Sequence, residues 1–431
     1  MPKLLLSPVP EQENDVGGQW PGSSSSSFDV SQSGSSSSPD SAEGRKASPQ
    51  YVAEPQEGES YHVEKAEDDL EEGGCEEETK EVVESEEEWD TDLEMEDSKK
   101  VYDPSGKAKY LEICQTYGVT PVSYFIRHMK DSELSLMHHG LGPKGAKAVA
   151  LSLASNTSVV KLNLSDNWLN GDGTAAVAEM LKENCYISDV DLSENRLGVK
   201  GAKALSAMLQ ENAMLVTLKL SGNELNDQAA KYLADALLTN NKLESLDLSH
   251  NAFGESAGEV LGAAIAENAG MKELNLSWNC FRGHGAIAVA KGLKANIFLQ
   301  VLDLSYNGFG DKGAAALGEA LKINNVLEEL NVGNNRISLE GALCLALGLK
   351  ENKTLRCLSV ARNPIQSEGC IRILKSIQAN PGAVLEVLDF SEIVLKQDFT
   401  GLCDAVQETF PGLQIKHDGT RPSFRANQSK M

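Results

Sequence analysis

The stretch Val159-Val-Lys-Leu-Asn-Leu-Ser-Asp-Asn-Trp-Leu169 recurs every 28 residues with the same apolar spacing and the same asparagine. The recurring asparagines, called the ladder asparagines below, are Asn167, Asn195, Asn223, Asn251, Asn279, Asn307, Asn335 and Asn363. A second series follows each of them by 17 residues: Asn184, Asn212, Asn240, Asn268, Asn296, Asn324, Asn352 and Asn380. Two series with one constant period predict a solenoid of stacked repeats.

The first half of each repeat is predicted to be a short strand. Apolar residues stand eight, five and three positions before the ladder asparagine and two after it, as in Leu215, Leu218, Leu220 and Leu225. The alternation predicts a strand with one face inward. The asparagine then turns the chain, and its amide is expected to bond backbone groups that the turn would otherwise bury unpaired.

The second half of each repeat is predicted to be a helix. Small or apolar residues stand seven, ten, eleven and fourteen positions after the ladder asparagine, as in Ala314, Leu317, Gly318 and Leu321, and form one stripe. The second asparagine is expected to end this helix in a left-handed conformation. Since helices need about 8–10 Å and strands about 4.8 Å, the layers must curve with the strands inside.

These residues resemble the leucine-rich repeats, specifically the helical 28-residue class of ribonuclease inhibitor, Ran GTPase-activating protein and the NOD-like receptors. The resemblance covers roughly residues 130–395. It implies an α/β solenoid, a horseshoe with a parallel inner sheet and outer helices. Two flanking segments, 121–127 and 138–143, resemble a smaller group within this class, which implies no established activity.

Composition divides the chain into five parts. Residues 1–100 form a serine-rich and then acidic arm that is predicted to be disordered, because it lacks the apolar residues of a core. Residues 101–133 are predicted to be a helical cap and 134–395 the repeats. A second cap is expected at 396–420, since open solenoid ends need covering, and a flexible tail at 421–431.

The charge of the chain is concentrated in its first part. Residues 1–100 hold 28 of the 64 acidic and 7 of the 39 basic residues, a net charge of −21 out of −25. Ser85 and Thr91 each have an acidic residue three positions on and are candidate phosphorylation sites. The segment around them is either a solvated spacer or a linear motif that docks on a partner or on the repeats.

The inner face of the sheet is a candidate binding wall. Side chains six, four and two residues before each ladder asparagine should point into the cavity. The charged members that we single out are Asp191, Lys219, Asp247, Glu273, Asp303 and Glu329. The alternative is a solvated surface without a ligand.

The residue immediately before each ladder asparagine forms the rim of this wall. Here neighbouring repeats place His250, Trp278 and Tyr306 side by side. Exposed aromatic side chains are enriched at protein interfaces. The resemblance implies the same, since ribonuclease inhibitor grips its protein ligand through rim aromatics. The alternative is that Trp278 packs over its neighbouring loop, and loop packing is also expected of Trp168.

No pattern in the sequence predicts an enzyme. Phosphate-loop, dinucleotide and zinc-protease motifs are absent, and no cofactor or metal is expected. The pair His138 and His139 lies in a degenerate repeat and has no third ligand. One alternative remains, regulation of a GTPase, because Ran GTPase-activating protein joins the same repeats to an acidic segment at its other end.

The charge pattern also bears on partners and location. Nucleic acid is disfavoured, because clustered Lys and Arg are missing, and a basic protein is the natural partner. No apolar run is long enough to span a membrane. The eight cysteines form no Cys-x-x-Cys pair, which is typical of reduced thiols in a cytoplasmic protein. The chain is expected to be a monomer.

Overall fold

The computed structural model describes residues 106–419. The predictions for the serine-rich and acidic arm and for the tail at 421–431 lie outside the described residues. The two candidate phosphorylation sites, Ser85 and Thr91, lie outside them as well.

Short strands and longer helices alternate along the described range. The strands are β1 Glu133–Ser135, β2 Lys161–Asn163, β3 Asp189–Asp191, β4 Thr217–Lys219, β5 Ser245–Asp247, β6 Glu273–Asn275, β7 Val301–Asp303, β8 Glu329–Asn331, β9 Cys357–Ser359, β10 Val387–Asp389 and β11 Gln414–Lys416. The helices are α1 Lys107–Tyr117, α2 Ser123–His128, α3 Gly142–Leu153, α4 Asn170–Glu183, α5 Gly198–Glu211, α6 Asp227–Thr239, α7 Glu255–Glu267, α8 Gly283–Ala295, α9 Gly310–Ile323, α10 Leu339–Leu349, α11 Gln366–Gln378 and α12 Gln397–Thr409.

The strands form one parallel sheet in which sequence order is also spatial order. Each strand pairs with the next at an offset of one repeat, so that Leu218 lies opposite Leu246. The step from Leu358 to Leu388 is two residues longer, but the two leucines still pair. The predicted α/β solenoid with a parallel sheet is thereby confirmed.

The core lies between the sheet and the helices. The middle residue of a strand, such as Leu218, and the stripe of a helix, such as Leu205 and Leu209, are buried together. Each repeat is too thin to bury these side chains alone, so neighbouring repeats share one continuous core. The flanking strand residues face the other way, towards the inner wall.

The ladder asparagines connect the repeats through their side chains. Asn195 is fully buried, and its backbone N–H donates to Oδ1 of Asn223 at 2.8 Å. Its Nδ2 donates to the carbonyl oxygen of Leu164 in the preceding repeat at 2.9 Å and to that of Leu192 at 3.0 Å. The backbone of Asn195 thus bonds the following repeat, and its side-chain amide bonds backbone carbonyls of its own turn and of the preceding repeat, as the sequence predicts for the turn.

The second asparagine series has a different geometry from the predicted one. Asn184 ends α4 in an extended conformation with φ −78° and ψ 122°, so the predicted left-handed conformation is wrong. Its Oδ1 accepts the N–H groups of Tyr186 at 2.8 Å and Ile187 at 3.0 Å, and its Nδ2 donates to the carbonyl oxygen of Leu153 at 2.8 Å. The Asn184 side chain makes the hydrogen bonds that hold this turn, so no left-handed residue is needed. The backbone can therefore continue in an extended conformation towards the next strand.

Aromatic side chains cover both ends of the described solenoid. Tyr110 of α1 and Phe125 of α2 meet edge to face, with ring centroids 4.5 Å apart. At the other end Phe399 of α12 lies edge to face with Phe390 at 5.7 Å. All four side chains are buried, so the caps separate the core of the first and last repeats from solvent. Among the helices between residues 106 and 419, none combines the length and the apolar character that crossing a membrane requires.

Candidate interaction surface

The rim is defined as the residue before each ladder asparagine and lies three residues beyond the end of a strand. Its backbone continues the hydrogen bonding between neighbouring strands. The N–H of Trp278 donates to the carbonyl oxygen of Ser305 at 3.0 Å, and that of Tyr306 donates to Gly333 at 2.9 Å. Successive rim side chains are therefore placed at the spacing of parallel strands, about 4.8 Å. This spacing is close to that of stacked rings.

The rim backbone is left-handed in every repeat. His250 has φ 51°, Trp278 53° and Tyr306 53°, and among the rim residues of the eight repeats only Gly222 is glycine. A left-handed conformation costs a non-glycine residue about 1–2 kcal/mol. Bulky side chains held in such a conformation are typical of functional surfaces.

The three aromatic rim residues form one stack. The rings of His250 and Trp278 have centroids 5.0 Å apart and planes 14° apart. Those of Trp278 and Tyr306 have centroids 3.9 Å apart and planes 8° apart. Trp278 is 48% exposed, although both faces of its ring lie against neighbouring repeats. The stack presents its ring edges to solvent.

An arginine ends the stack on the C-terminal side. The guanidinium carbon of Arg362 lies 5.7 Å from the Tyr306 ring centroid, and Nη1 donates to the Tyr306 hydroxyl. Nε of Arg362 donates to Oε1 of Glu392 at 2.6 Å. Interaction with the Glu392 carboxylate raises the pKa of Arg362 further. Sequence reasoning did not associate Tyr306 with Arg362, because they are two repeats apart.

Part of the inner wall has a structural role that the sequence prediction missed. The carboxylates of Asp191, Asp247 and Asp303 each accept the N–H of the serine two residues later, at 3.0 Å, 2.9 Å and 2.8 Å. Asparagine at the same position, as in Asn275, does the same at 3.0 Å. The recurrence of Asp and Asn four residues before the ladder asparagine could have predicted this turn, since both side chains favour it.

The wall residues also carry charge that the described chain does not neutralise. In residues 106–419 no ion pair involves Asp191, Lys219, Asp247, Glu273, Asp303 or Glu329. Burial raises the pKa of Asp303, although hydrogen bonds from Ser305 and Asn331 oppose the shift. Burial and the nearby carboxylates of Glu328 and Glu273 raise the pKa of Glu329. The wall therefore favours cations.

The candidate residues divide into two groups along the sheet. Asp247, Glu273 and Asp303 lie on β5, β6 and β7, the strands that lead directly to the aromatic rim residues. Glu329 follows on β8, whereas Asp191 and Lys219 lie on β3 and β4, before the stack begins. The acidic wall and the aromatic stack are thus adjacent in the same three repeats.

Trp168 packs against the loop of the next repeat. It nevertheless stays 57% exposed. The guanidinium carbon of Arg196 lies over the Trp168 ring at 4.3 Å, and Nε of Arg196 lies 3.9 Å from Oε1 of Glu224. Trp168 has φ 57°, so this indole, like that of Trp278, stands on a left-handed backbone.

A second exposed surface at the opposite sheet edge escaped the sequence analysis. Tyr186, Met214 and Phe298 stand two residues after members of the second asparagine series and are 51%, 44% and 41% exposed. Phe298 and the 63% exposed Ile297 border a depression of about 300 Å³. Their common position in the repeat could have indicated this surface, but only the structure shows that the side chains are exposed.

The histidine and cysteine residues form no constellation in the described part. His138 Nδ1 lies 2.5 Å from Oδ2 of Asp166, whereas His139 bonds its own loop. Between residues 106 and 419 no group of three or more potential ligands could hold a metal ion. The seven described cysteines are free, and burial raises the pKa of Cys370 to about 12.

A family model described as "Leucine Rich repeat" matches the chain in nine segments. The matched residues are 132–150, 155–178, 183–206, 211–234, 239–262, 268–290, 295–318, 324–346 and 351–374. Each segment from the second onward begins shortly before a strand and ends within the following helix.

Two curated relatives share about half their residues with part of the chain. Leucine-rich repeat-containing protein 74B of Homo sapiens is 51% identical over 71 residues, 16% of this chain and 18% of the relative. The Mus musculus protein of the same name is 48% identical over 80 residues, 18% and 20% respectively. The matches thus span about a fifth of the length of these relatives. The resemblance of the two flanking segments to a smaller group, the leucine-rich repeat-containing protein 74 group and its B form, agrees with these partial matches.

A comparison with solved structures gives a match to "Leiomodin-1 Actin-Binding Site 2 (ABS2)". The match has a TM-score of 0.31 and 20% sequence identity, and it covers 36% of this chain and 88% of that one.

Proposed function

We propose that the chain, which belongs to the leucine-rich repeat proteins, is a non-enzymatic scaffold that binds another protein through its inner wall and rim. The aromatic stack of His250, Trp278 and Tyr306 is the anchor of this site, and the wall acids of β5 to β8 lie beside it. The partner surface is basic, and the scaffold acts as a monomer in the cytoplasm.

One observation supports the proposal most strongly: the stacked, half-exposed Trp278 on a left-handed backbone. The chain keeps this indole in water and in an unfavourable conformation, although glycine would fit the backbone better. Large aromatic side chains with their edges exposed and their faces supported are the residues that dominate protein interfaces. The uncompensated acids beside the stack would steer a basic surface towards it.

The test is affinity capture of binding partners with the full chain and with the double variant Trp278→Ala, Tyr306→Ala. We expect the double variant to lose the partners that the parent captures, while its melting temperature falls by only about 2–4 °C, since the stack lies outside the core. Trp168→Ala is the matched control, because it removes another exposed indole from a left-handed residue at another part of the sheet. Equal capture by the double variant and the parent would refute the proposal.

A second measurement separates scaffold from regulator. Rates of GTP hydrolysis by a panel of small GTPases are compared with and without the purified chain. Unchanged rates together with measurable partner binding support the scaffold, whereas acceleration would establish GTPase regulation instead.

A further inference from the structure

Two rows of side chains on this molecule place a guanidinium between an aromatic ring and a carboxylate. In the first, Arg196 lies over Trp168 at 4.3 Å and beside Glu224. In the second, Arg362 lies over Tyr306 at 5.7 Å and bonds Glu392. The first row crosses three successive repeats, the second passes over one repeat between the ring and the guanidinium, and each leaves the guanidinium at least partly exposed. The spacing of the repeats therefore suits a ring, a guanidinium and a carboxylate in sequence.

The rim contains a third row in which the central side chain is missing. His250 supplies the ring, Glu194 supplies the carboxylate, and Gly222 stands between them. A Cβ on Gly222 would overlap the Glu194 carboxylate, so that carboxylate lies directly on the glycine. His250 is exposed, and Trp278 is the only aromatic ring of the described residues that stacks on it. The face of the imidazole towards Gly222 is thus uncovered by any ring.

We infer that this notch, formed by Glu194, Gly222 and His250, binds an arginine side chain of the partner protein. The inference rests on the proposed function, because that proposal supplies the partner protein to which the arginine belongs. The guanidinium stacks on the free face of His250 and donates to the Glu194 carboxylate beneath it. It thereby extends the aromatic stack by one member at its N-terminal end, as Arg362 extends it at the other end.

The surroundings favour a planar cation over other groups. Glu194 makes no ion pair with another described residue, so its carboxylate is available to accept two N–H groups. Asp191 and Asp247 lie on the flanking strands, and Lys219 of the strand between them is the one base there. A guanidinium stacks flat on a ring and bonds a carboxylate with its edge at the same time, which an ammonium group cannot do.

The test needs no partner, because it uses N-acetyl-arginine amide as the ligand. The full chain is labelled with ¹³C-histidine, and its imidazole NMR signals are followed during titration at pH 8. The His250 signal is identified by its absence from His250→Asn. We expect that signal to shift saturably with the arginine ligand, while the signal of His417, which lies against Phe399 at the far end, stays in place.

Matched ligands and variants decide between causes. N-acetyl-citrulline amide has the same shape without the charge and should leave His250 unchanged, and the lysine ligand should shift it far less. Glu194→Gln keeps the shape of the notch and should weaken binding about tenfold, because the hydrogen bonds lose their charged acceptor. Gly222→Asn should abolish the shift, because asparagine tolerates the left-handed backbone and fills the notch.

The inference is overturned if the arginine ligand leaves His250 unmoved, or if citrulline or lysine moves it equally. Melting curves of both variants establish that they fold, so that a lost shift reports on the notch. The outcome is independent of partner capture. A selective shift in a chain whose capture does not depend on Trp278 and Tyr306 would keep the notch and refute the proposed rim interface. An absent shift with dependent capture would do the reverse.

Discussion

The rim residues adopt a left-handed backbone conformation that favours glycine, yet most of them are not glycine. The rim conformation, with φ between 49° and 67°, recurs in all eight repeats, yet seven of their eight rim residues carry side chains. Each of these residues bears a conformational cost that adjoining hydrogen bonds of the sheet must offset. Comparing glycine with alanine at a rim position separates the free-energy cost of the left-handed backbone from the contribution of the side-chain contacts.

We predict that Trp278→Gly is more stable than Trp278→Ala by about 1 kcal/mol, because both lose the stack but only glycine relaxes the left-handed backbone. At Glu259, an exposed position inside α7, the order should reverse, with Ala the more stable by a similar amount, about 1 kcal/mol. The measurement is the free energy of urea unfolding of the four variants. The same order at both positions would contradict the strain described here.

At the scale of elements, glycine decides how closely two helices approach. A Cβ on Gly262 of α7 would lie 2.5 Å from the carbonyl oxygen of Ala288 in α8. Gly318 of α9 lies against the backbone of Cys344 in α10 in the same way. In these two pairs the helices pack backbone to backbone, whereas the exposed Gly401 of α12 has no atom within 4 Å of an added Cβ.

Gly262→Ala is therefore expected to destabilise the fold by about 1–3 kcal/mol, the usual cost of forcing an extra methyl into a packed interface. Gly401→Ala is the control, since nothing lies within 4 Å of its added Cβ. That substitution should stabilise by up to about 1 kcal/mol through helix propensity alone. Thermal unfolding of both variants measures the difference, and a stabilised Gly262→Ala would show that the two helices can separate without cost.

At the scale of the whole described solenoid, stability is expected to be local. Each repeat contacts only its neighbours, so the loss of a cap should open the nearest repeats first. Phe399 fixes the last helix against Phe390, and Phe125 fixes the first two helices against each other. The two ends can therefore be loosened separately.

We predict that Phe399→Ala, a deletion that ordinarily costs about 3–5 kcal/mol, increases hydrogen exchange in β9 to β11 and leaves β3 to β5 unchanged. Phe125→Ala should give the mirror image, with faster exchange in β1 and β2. Hydrogen exchange read by mass spectrometry distinguishes the ends. A uniform increase along all strands in either variant would mean that the repeats unfold as one cooperative unit.

The architecture follows from the sequence alone, because a fixed period gives neighbouring repeats the same contacts. The positions of the core leucines, the ladder asparagines and the outward strand residues follow from periodicity alone. The juxtaposition of His250, Trp278 and Tyr306 was predictable for the same reason, since equal positions in successive repeats must be neighbours. Gly222 and Asn334 at the rim position also indicate a left-handed backbone, because glycine and asparagine tolerate it best.

Only the tertiary structure decided how side chains reach beyond their own position. Arg362 reaches Tyr306 across a repeat, Arg196 covers Trp168, and Glu194 lies on Gly222. It also showed that the second asparagines bond an extended turn and that the wall aspartates bond their own backbone. Long side chains and turn geometries are chosen by local sterics and hydrogen bonds after the repeats have stacked. A period in sequence fixes where a residue starts, but not where its charged or aromatic end comes to lie.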